Sequence, residues 1–307
     1  MRLLFAGTPA TAVPALDALL ASRHDVHAVI SRPDRPAGRG RPMSASAVAQ
    51  HARAHGLTLL QPTRIGDPSF LGDLRGLAPD CVAIVAYGAL IPPAALAIPP
   101  HGWVNLHFSL LPAWRGAAPV QHAILAGDDM AGATTFRLDE GLDTGPVVGS
   151  VTEEIRDDDT AGSLLGRLSV AGARLLVETI DRIEDGTAHP VPQPIDGASH
   201  APKLTTDDAR IQWTDPALAI SRRVRACTPV PGAWTTFRGN RVKLASVRLD
   251  PSRTATPGEI RVERVDVRVG TGSHAIVLGR LQPAGRSEMA ASDWARGVRL
   301  RPDDRFE

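Results

Sequence analysis

Two segments hold side chains whose types and spacing suit proton transfer. In Trp103-Val104-Asn105-Leu106-His107-Phe108-Ser109-Leu110-Leu111-Pro112, an amide and an imidazole stand two residues apart. On a strand, alternate residues share a face, so Asn105 and His107 point one way and Val104, Leu106 and Phe108 face the opposite layer. An amide donates to a developing negative charge, and an imidazole carries a proton. In Asp139-Glu140-Gly141-Leu142-Asp143-Thr144-Gly145, two glycines surround an acidic residue, the pattern of a tight loop that approaches a ligand closely. From such a loop Asp143 can orient His107, as carboxylates orient imidazoles in other acid–base pairs. An isolated Asn-x-His more often just satisfies loop backbone groups, and an acidic turn can simply cap a strand. Spacing alone leaves both readings open.

The elements that must position these residues read as an open, mostly parallel α/β sheet. Arg2–Ala6, Asp25–Ser31, Asp80–Ala86 and Trp103–Phe108 are short apolar runs that predict strands. Thr11–Ala21, Ala45–His55 and Asp67–Gly76 carry apolar residues at helical spacing. Strands alternating with helices give a parallel sheet, which binds ligands beyond the C-terminal ends of its strands. The Asn-x-His pair falls at such an end. Pro112 stops its strand, and Arg115-Gly116 leads into a helix over Ala117–Ala126. Further strands are expected near Gly132–Leu138 and Val147–Glu154, followed by a long amphipathic helix over Ala161–Glu184.

Residues 187–206, rich in Pro and polar side chains, read as an interdomain linker over the surface. Beyond it the pattern changes. A helix over Pro216–Arg225 precedes short strands at Trp234–Phe237, Val242–Leu249, Gly258–Val262, Val265–Val269 and Ala275–Leu278, which suggests a small β-barrel.

The chain of 307 residues, 43% hydrophobic and 22% charged, has apolar mass for a sizeable core and suits two domains. No stretch approaches the roughly 18 apolar residues of a membrane span. The first residues read as a strand and not as a secretory segment. Cys81 and Cys227 fit no metal-ligand spacing and are expected as free thiols in the cytoplasm. The formal net charge is +1, but Leu204–Glu307 holds 18 Lys and Arg against 12 Asp and Glu. That excess hints at a polyanionic partner, although excesses of this size are common.

The residues around the trio resemble the folate-dependent formyltransferases. Asn105-x-His107-x-Ser109-Leu110-Leu111-Pro112, then Arg115-Gly116, then Asp143, is similar as a set to the signature of enzymes that use 10-formyltetrahydrofolate. Phe5-Ala6-Gly7-Thr8-Pro9, the stretch from Pro33 to Arg41, Gly116–Gln121, Ala201-Pro202-Lys203-Leu204 and Pro231-Gly232-Ala233-Trp234 resemble the methionyl-tRNA branch of that family. The likeness covers essentially the whole chain and weakens after about residue 240. Thr134-Thr135-Phe136-Arg137 departs from it, since many relatives carry a more apolar, Met-rich sequence there. The first strand loop has only Gly7 where a dinucleotide fingerprint needs three glycines, which argues against a dehydrogenase.

The resemblance implies a Rossmann-like catalytic domain over residues 1–188, a linker over 189–206 and an OB-like, tRNA-binding barrel over 207–307. It implies transfer of the formyl group of 10-formyltetrahydrofolate to the α-amino group of initiator methionyl-tRNA, with no metal. Asn105, His107 and Asp143 are the expected catalytic residues: oxyanion donor, proton carrier, and orienter of His107. Gly88, Leu90, Ser109, Leu110, Leu111 and Pro112 are expected along the folate. Arg35, Arg39 and Arg41, in a basic loop rich in Pro and Gly, are expected to meet tRNA phosphates. The enzyme is expected to act as a monomer. The alternatives are a formyltransferase acting on a small-molecule amine, and a non-catalytic RNA-binding module on a degenerate scaffold.

Overall fold

Continuously apolar runs in the first half form strands buried on both faces. In β1 (Arg2–Gly7), residues Leu3 to Ala6 are fully buried, as expected for the centre of a parallel sheet covered by helices. The computed structural model describes residues 1–36 and 43–307, and it divides into two compact units. The first comprises Met1–Pro119, Met130–Glu154 and Leu165–Ala201, and the second Val120–Asp129, Ile155–Leu164 and Pro202–Glu307.

After β1, the first unit continues with α1 (Val13–Leu20), β2 (Asp25–Ile30), β3 (Arg35–Pro36), β4 (Met43–Ser44), α2 (Ala47–Ala54) and β5 (Leu59–Leu60). Next come α3 (Pro68–Leu77), β6 (Cys81–Val85), α4 (Pro93–Leu96) and β7 (Trp103–His107). It ends with β8 (Met130–Arg137), β9 (Val147–Glu154) and most of α6 (Ala161–Glu184). Pro14 stands in the first turn of α1, where a missing N–H costs nothing. Ser46 caps α2 by accepting from the Ala49 N–H at 3.0 Å.

The main sheet has the order β5-β2-β1-β6-β7-β8-β9. The strands from β5 to β7 pair in parallel, and β8 and β9 are antiparallel. From β1 the chain builds outward to β2 on one side and to β6 on the other. That reversal opens a crevice at the carboxyl ends of β1, β6 and β7. Thr8, just beyond β1, donates to the Tyr87 carbonyl just beyond β6 at 2.8 Å and ties the two ends together. The expected open, mostly parallel α/β sheet is therefore present. The two-residue strands and α4 are too short to leave a periodic signal.

The second unit holds α5 (Pro119–Ala126) apart from its first residue, then α7 (Ala217–Cys227) and an antiparallel sheet. The strands are β10 (Trp234–Phe237), β11 (Asn240–Asp250), β12 (Ile260–Glu263), β13 (Asp266–Val269), β14 (Ala275–Pro283) and β15 (Met289–Ala290). Their order is β10-β11-β14-β13-β12, with β15 on β14. Near the C-terminus, Phe306 bridges Phe237 of β10, and Arg305 bridges Glu259 beside β12. The two edges are thus joined, as in the expected small OB-like barrel, and a closed barrel has no free edge. Helix α8 (Ala291–Val298) puts Trp294 into the core, stacked on Phe306, which stacks in turn on Trp213. Among the described residues, no helix is long and apolar enough to cross a membrane.

Candidate active site

Strand β7 carries the site because its two faces differ. It pairs with β6 through Ile84 opposite Asn105, and with β8 through Phe136 opposite Asn105 and Thr134 opposite His107. Trp103 anchors it, fully buried, with its indole N–H donating to the Ala95 carbonyl at 2.9 Å. Leu106 faces α6, where a Cβ on Gly172 would stand 2.9 Å from its side chain. Asn105 and His107 lie on the other face, and both line a cavity of about 840 Å³. That volume suits a drug-sized ligand.

His107 is 7% exposed, and both its nitrogens face polar groups. Nε2 lies 2.9 Å from the Trp114 carbonyl oxygen. A carbonyl only accepts, so Nε2 must carry a hydrogen, and the neutral ring has its lone pair on Nδ1. Nδ1 lies 3.7 Å from Asp143 Oδ2. The Asp143 carboxylate also accepts the Gly116 N–H at 2.8 Å. Phe136 closes the ring's side, edge-on at 6.4 Å.

The acidic loop is tight, as its glycines predict. Asp139 accepts from the Gly141 N–H and the Thr144 hydroxyl, and a Cβ on Gly145 would lie 1.8 Å from the Arg137 carbonyl oxygen. Asp143 itself sits at φ +54°, a left-handed conformation uncommon outside glycine. Trp114 does the same at φ +60°. The two residues whose polar groups face the His107 nitrogens are therefore held in strained backbone, which needs surrounding structure to persist.

The expected folate residues separate into two groups. Gly88 and Leu90 line the cavity, with Ala86, Tyr87, Ala89, Leu138 and Leu142. Gly88 has φ +84° with open space where a Cβ would go, so its conformation and not crowding calls for glycine. Leu90 is 81% exposed at this lining. Burial pushes the Tyr87 phenol up, so it stays a neutral hydroxyl. Ser109, Leu110, Leu111 and Pro112 do not belong to the lining. Ser109 is buried and donates to the Ala113 carbonyl at 2.6 Å. The Leu111 N–H donates to Thr134, whose hydroxyl donates to the Ser109 carbonyl. Thr134 thus fastens the turn that follows β7, while Thr135 bonds Thr179 of α6 at 2.7 Å. Arg35 is exposed on β3, which pairs with β4, and Arg39 and Arg41 lie outside the described residues.

Three residues around the trio were not singled out in the sequence: Trp114, Gln193 and Ser199. The stretch read as a linker is fastened to the first unit up to Ala201. Val191 exchanges two backbone bonds with Val147, Ser199 accepts the Trp114 N–H through Oγ at 2.9 Å, and Gln193 bonds both Arg115 and the Asp143 loop. A glutamine between prolines carries no periodic signal, so only the folded chain brings it here. Among the described residues, two groups of metal-capable side chains occur, Asp17 with His51 and His55, and His24 with Asp181 and Glu184. Neither group includes a residue of the cavity.

Residues 1–180 match the Formyl transferase family, and residues 203–299 match the Formyl transferase, C-terminal domain family. A methionyl-tRNA formyltransferase of Salinispora tropica is 61% identical over 301 residues, covering 98% of this chain and 98% of the relative. That of Streptomyces coelicolor is 58% identical over 307 residues, covering 99% of each. The crystal structure of HypX from Aquifex aeolicus in complex with tetrahydrofolic acid superimposes with a TM-score of 0.66 at 19% identity, covering 96% of this chain and 47% of that one. HypX supports the fold alone, but identity near 60% along the full length, with both domain families in order, carries more: the chain belongs to the methionyl-tRNA formyltransferase family.

Proposed function

We propose that this chain transfers the formyl group of 10-formyltetrahydrofolate to the α-amino group of initiator methionyl-tRNA, with Asn105, His107 and Asp143 as its catalytic residues. One observation carries the assignment of the site. An amide and an imidazole on one face of β7 converge with a carboxylate from a strained loop at a single cavity. The cavity's lining offers apolar surface from Ala86, Tyr87, Ala89, Leu90, Leu138 and Leu142, beside the carboxylates of Asp139 and Glu140, which fits a flat pteridine with polar edges in the donor. The HypX complex with tetrahydrofolic acid, on the same fold, supports that fit.

The chemistry needs a new C–N bond to the amine and cleavage of the bond to N10, with one proton moved between the two nitrogens. Asn105 donates its amide hydrogen to the oxygen of the formyl carbon as negative charge develops there; losing one such donor costs about 10²–10³ in rate. His107 takes the amine's proton on Nδ1, because Nε2 is committed to the Trp114 carbonyl. It then returns the proton to the departing N10. Asp143, 3.7 Å away, stabilises the imidazolium in between. Proton carriage is therefore assigned to His107 and charge stabilisation to Asp143.

The first unit carries this chemistry, and the second, with Arg222, Arg223, Arg225, Arg238, Arg241 and Lys243, supports a role in holding the RNA backbone. Arg35, Arg39 and Arg41 are proposed to meet the acceptor end. The enzyme is proposed to act as a cytoplasmic monomer without a metal. The test offers initiator methionyl-tRNA, elongator methionyl-tRNA and small amines with one formyl donor. Formylation of initiator methionyl-tRNA at least about tenfold faster than any small amine is expected. Equal or faster formylation of a small amine would refute the acceptor, and full activity of His107→Ala would refute the site.

A further inference from the structure

Gln193 stands fifty residues beyond Asp143, in a stretch without regular structure, yet its side chain uses its full hydrogen-bonding capacity. Oε1 accepts from Arg115 Nε at 3.1 Å and from Arg115 Nη2 at 2.7 Å. Nε2 donates to the Asp143 carbonyl and to the Gly145 carbonyl, each at 2.8 Å. A primary amide has two acceptor sites and two N–H groups, and all four are engaged. No other side-chain type offers this combination at this length: Glu brings no donor for the carbonyls, Lys and Arg bring no acceptor for Arg115, and Leu brings neither.

The groups that Gln193 joins are the two loops that hold His107. Arg115 lies between Trp114, whose carbonyl fixes Nε2, and Gly116, whose N–H fixes the Asp143 carboxylate. Asp143 and Trp114 are both left-handed, so neither loop rests in a conformation it would choose alone. The segment bearing Gln193 is itself anchored. Val191 pairs with Val147, and Ser199 and Ala201 pair with Arg115 through backbone bonds of 2.8 and 2.7 Å, respectively. Gln193 is thus a cross-brace between two strained loops, mounted on a fixed strap.

We propose that Gln193 is a positioning residue for formyl transfer: its amide clamps the Asp143 loop to the Trp114–Gly116 turn and so sets the Asp143 carboxylate against His107. This rests on the assignment of His107 and Asp143 as the proton-handling pair. Because the carboxylate acts on charge that appears during proton transfer, misplacing it lowers kcat and leaves binding alone.

The test compares Gln193→Leu and Gln193→Glu with the unaltered chain in single-turnover formylation of methionyl-tRNA, alone and combined with Asp143→Asn. Gln193→Glu keeps the size and the contact with Arg115 but removes both donors, and it serves if the leucine variant folds poorly. A fall in kcat of about 10- to 100-fold, up to the cost of a 1 Å misplacement and no larger than that of Asp143→Asn, is expected for either, with the KM for both substrates nearly unchanged. In the Asp143→Asn background the same substitution should add about twofold or less, since its effect runs through a charge already removed. Hydrogen exchange at the Gly116 N–H should accelerate in both variants. A kcat within about threefold of the unaltered chain, or a loss that multiplies in full with Asp143→Asn, would overturn the proposal. If Asp143→Asn and His107→Ala are themselves fully active, the failure belongs to the catalytic assignment and not to the brace.

Discussion

Replacing Asp143 by Asn removes a charge with almost no change of shape. Asn is among the residues that best tolerate left-handed backbone, so φ +54° is retained. Its amide oxygen still accepts the Gly116 N–H. What disappears is a negative charge 3.7 Å from His107 Nδ1. At that separation, with an effective dielectric of about 20, two unit charges attract by about 4 kcal/mol. The side chains are 14% and 7% exposed, so water screens part of this. Retaining between half and all of it leaves about 2–4 kcal/mol, a fall in kcat of about 30- to 1,000-fold. The loss falls on kcat because the attraction acts on the charge His107 gains with the migrating proton; KM for methionyl-tRNA should stay within about twofold. Single-turnover formylation with saturating donor measures it, and thermal unfolding verifies that the variant is folded. A kcat within about threefold of the unaltered chain would refute the assignment of Asp143 as charge partner. So would a raised KM with kcat preserved.

Two other substitutions test the framework around the site and the barrel. Gly116→Ala places a Cβ 2.8 Å from the Ala201 carbonyl oxygen at a φ of +121°, which no rotamer change relieves. A loss of about 1–3 kcal/mol in urea-measured stability is expected, and unchanged stability would contradict the packing described. In the second unit, the Ser252 hydroxyl and Arg268 hold the Asp250 carboxyl down to about 2, and Arg238 does the same for Asp304, against an ordinary value of 3.8. Carboxyls depressed by folding add stability that is complete above the unfolded value and is lost as pH falls through the folded one. Chemical denaturation followed by circular dichroism should therefore show stability falling between about pH 4 and pH 2, less steeply in Asp304→Asn; the same slope in both chains would exclude that pair as a source.

The elements that were legible are those whose side chains repeat. β1 and β6 are buried on both faces and read as unbroken apolar runs; α6 shows one apolar stripe over its full length. The barrel was expected from its short strands, but the residues that close it were not legible, because closure rests on Arg305 and Phe306, two residues at the far end of the chain bridging two separate edges. Helix α8 escaped for a related reason: it has only eight residues, and Trp294 is the large side chain that fixes its place in the core.

At the site, the sequence names the groups that do chemistry, and the fold supplies the groups that aim them. Asn105 and His107 are two residues apart, so strand geometry alone places them together. Asp143 reaches His107 only because β8 returns antiparallel beside β7 and the loop that follows ends at that strand's mouth. The next shell is less legible still. Trp114 acts through its carbonyl, which every residue possesses, so nothing about tryptophan marks it. Gln193 acts through a side chain that could serve anywhere, from a segment whose prolines read as a tether. Ser109 shows the converse: it stands within the most telling stretch of the chain, yet its hydroxyl closes a turn onto Ala113 and does not line the cavity. A recurring pattern therefore marks a place in the fold as readily as a contact with substrate. The two separate only when each polar atom is traced to its partner, and by that measure the Ser109–Pro112 turn serves the site by fixing the course of the chain from β7 to Trp114 and Gly116.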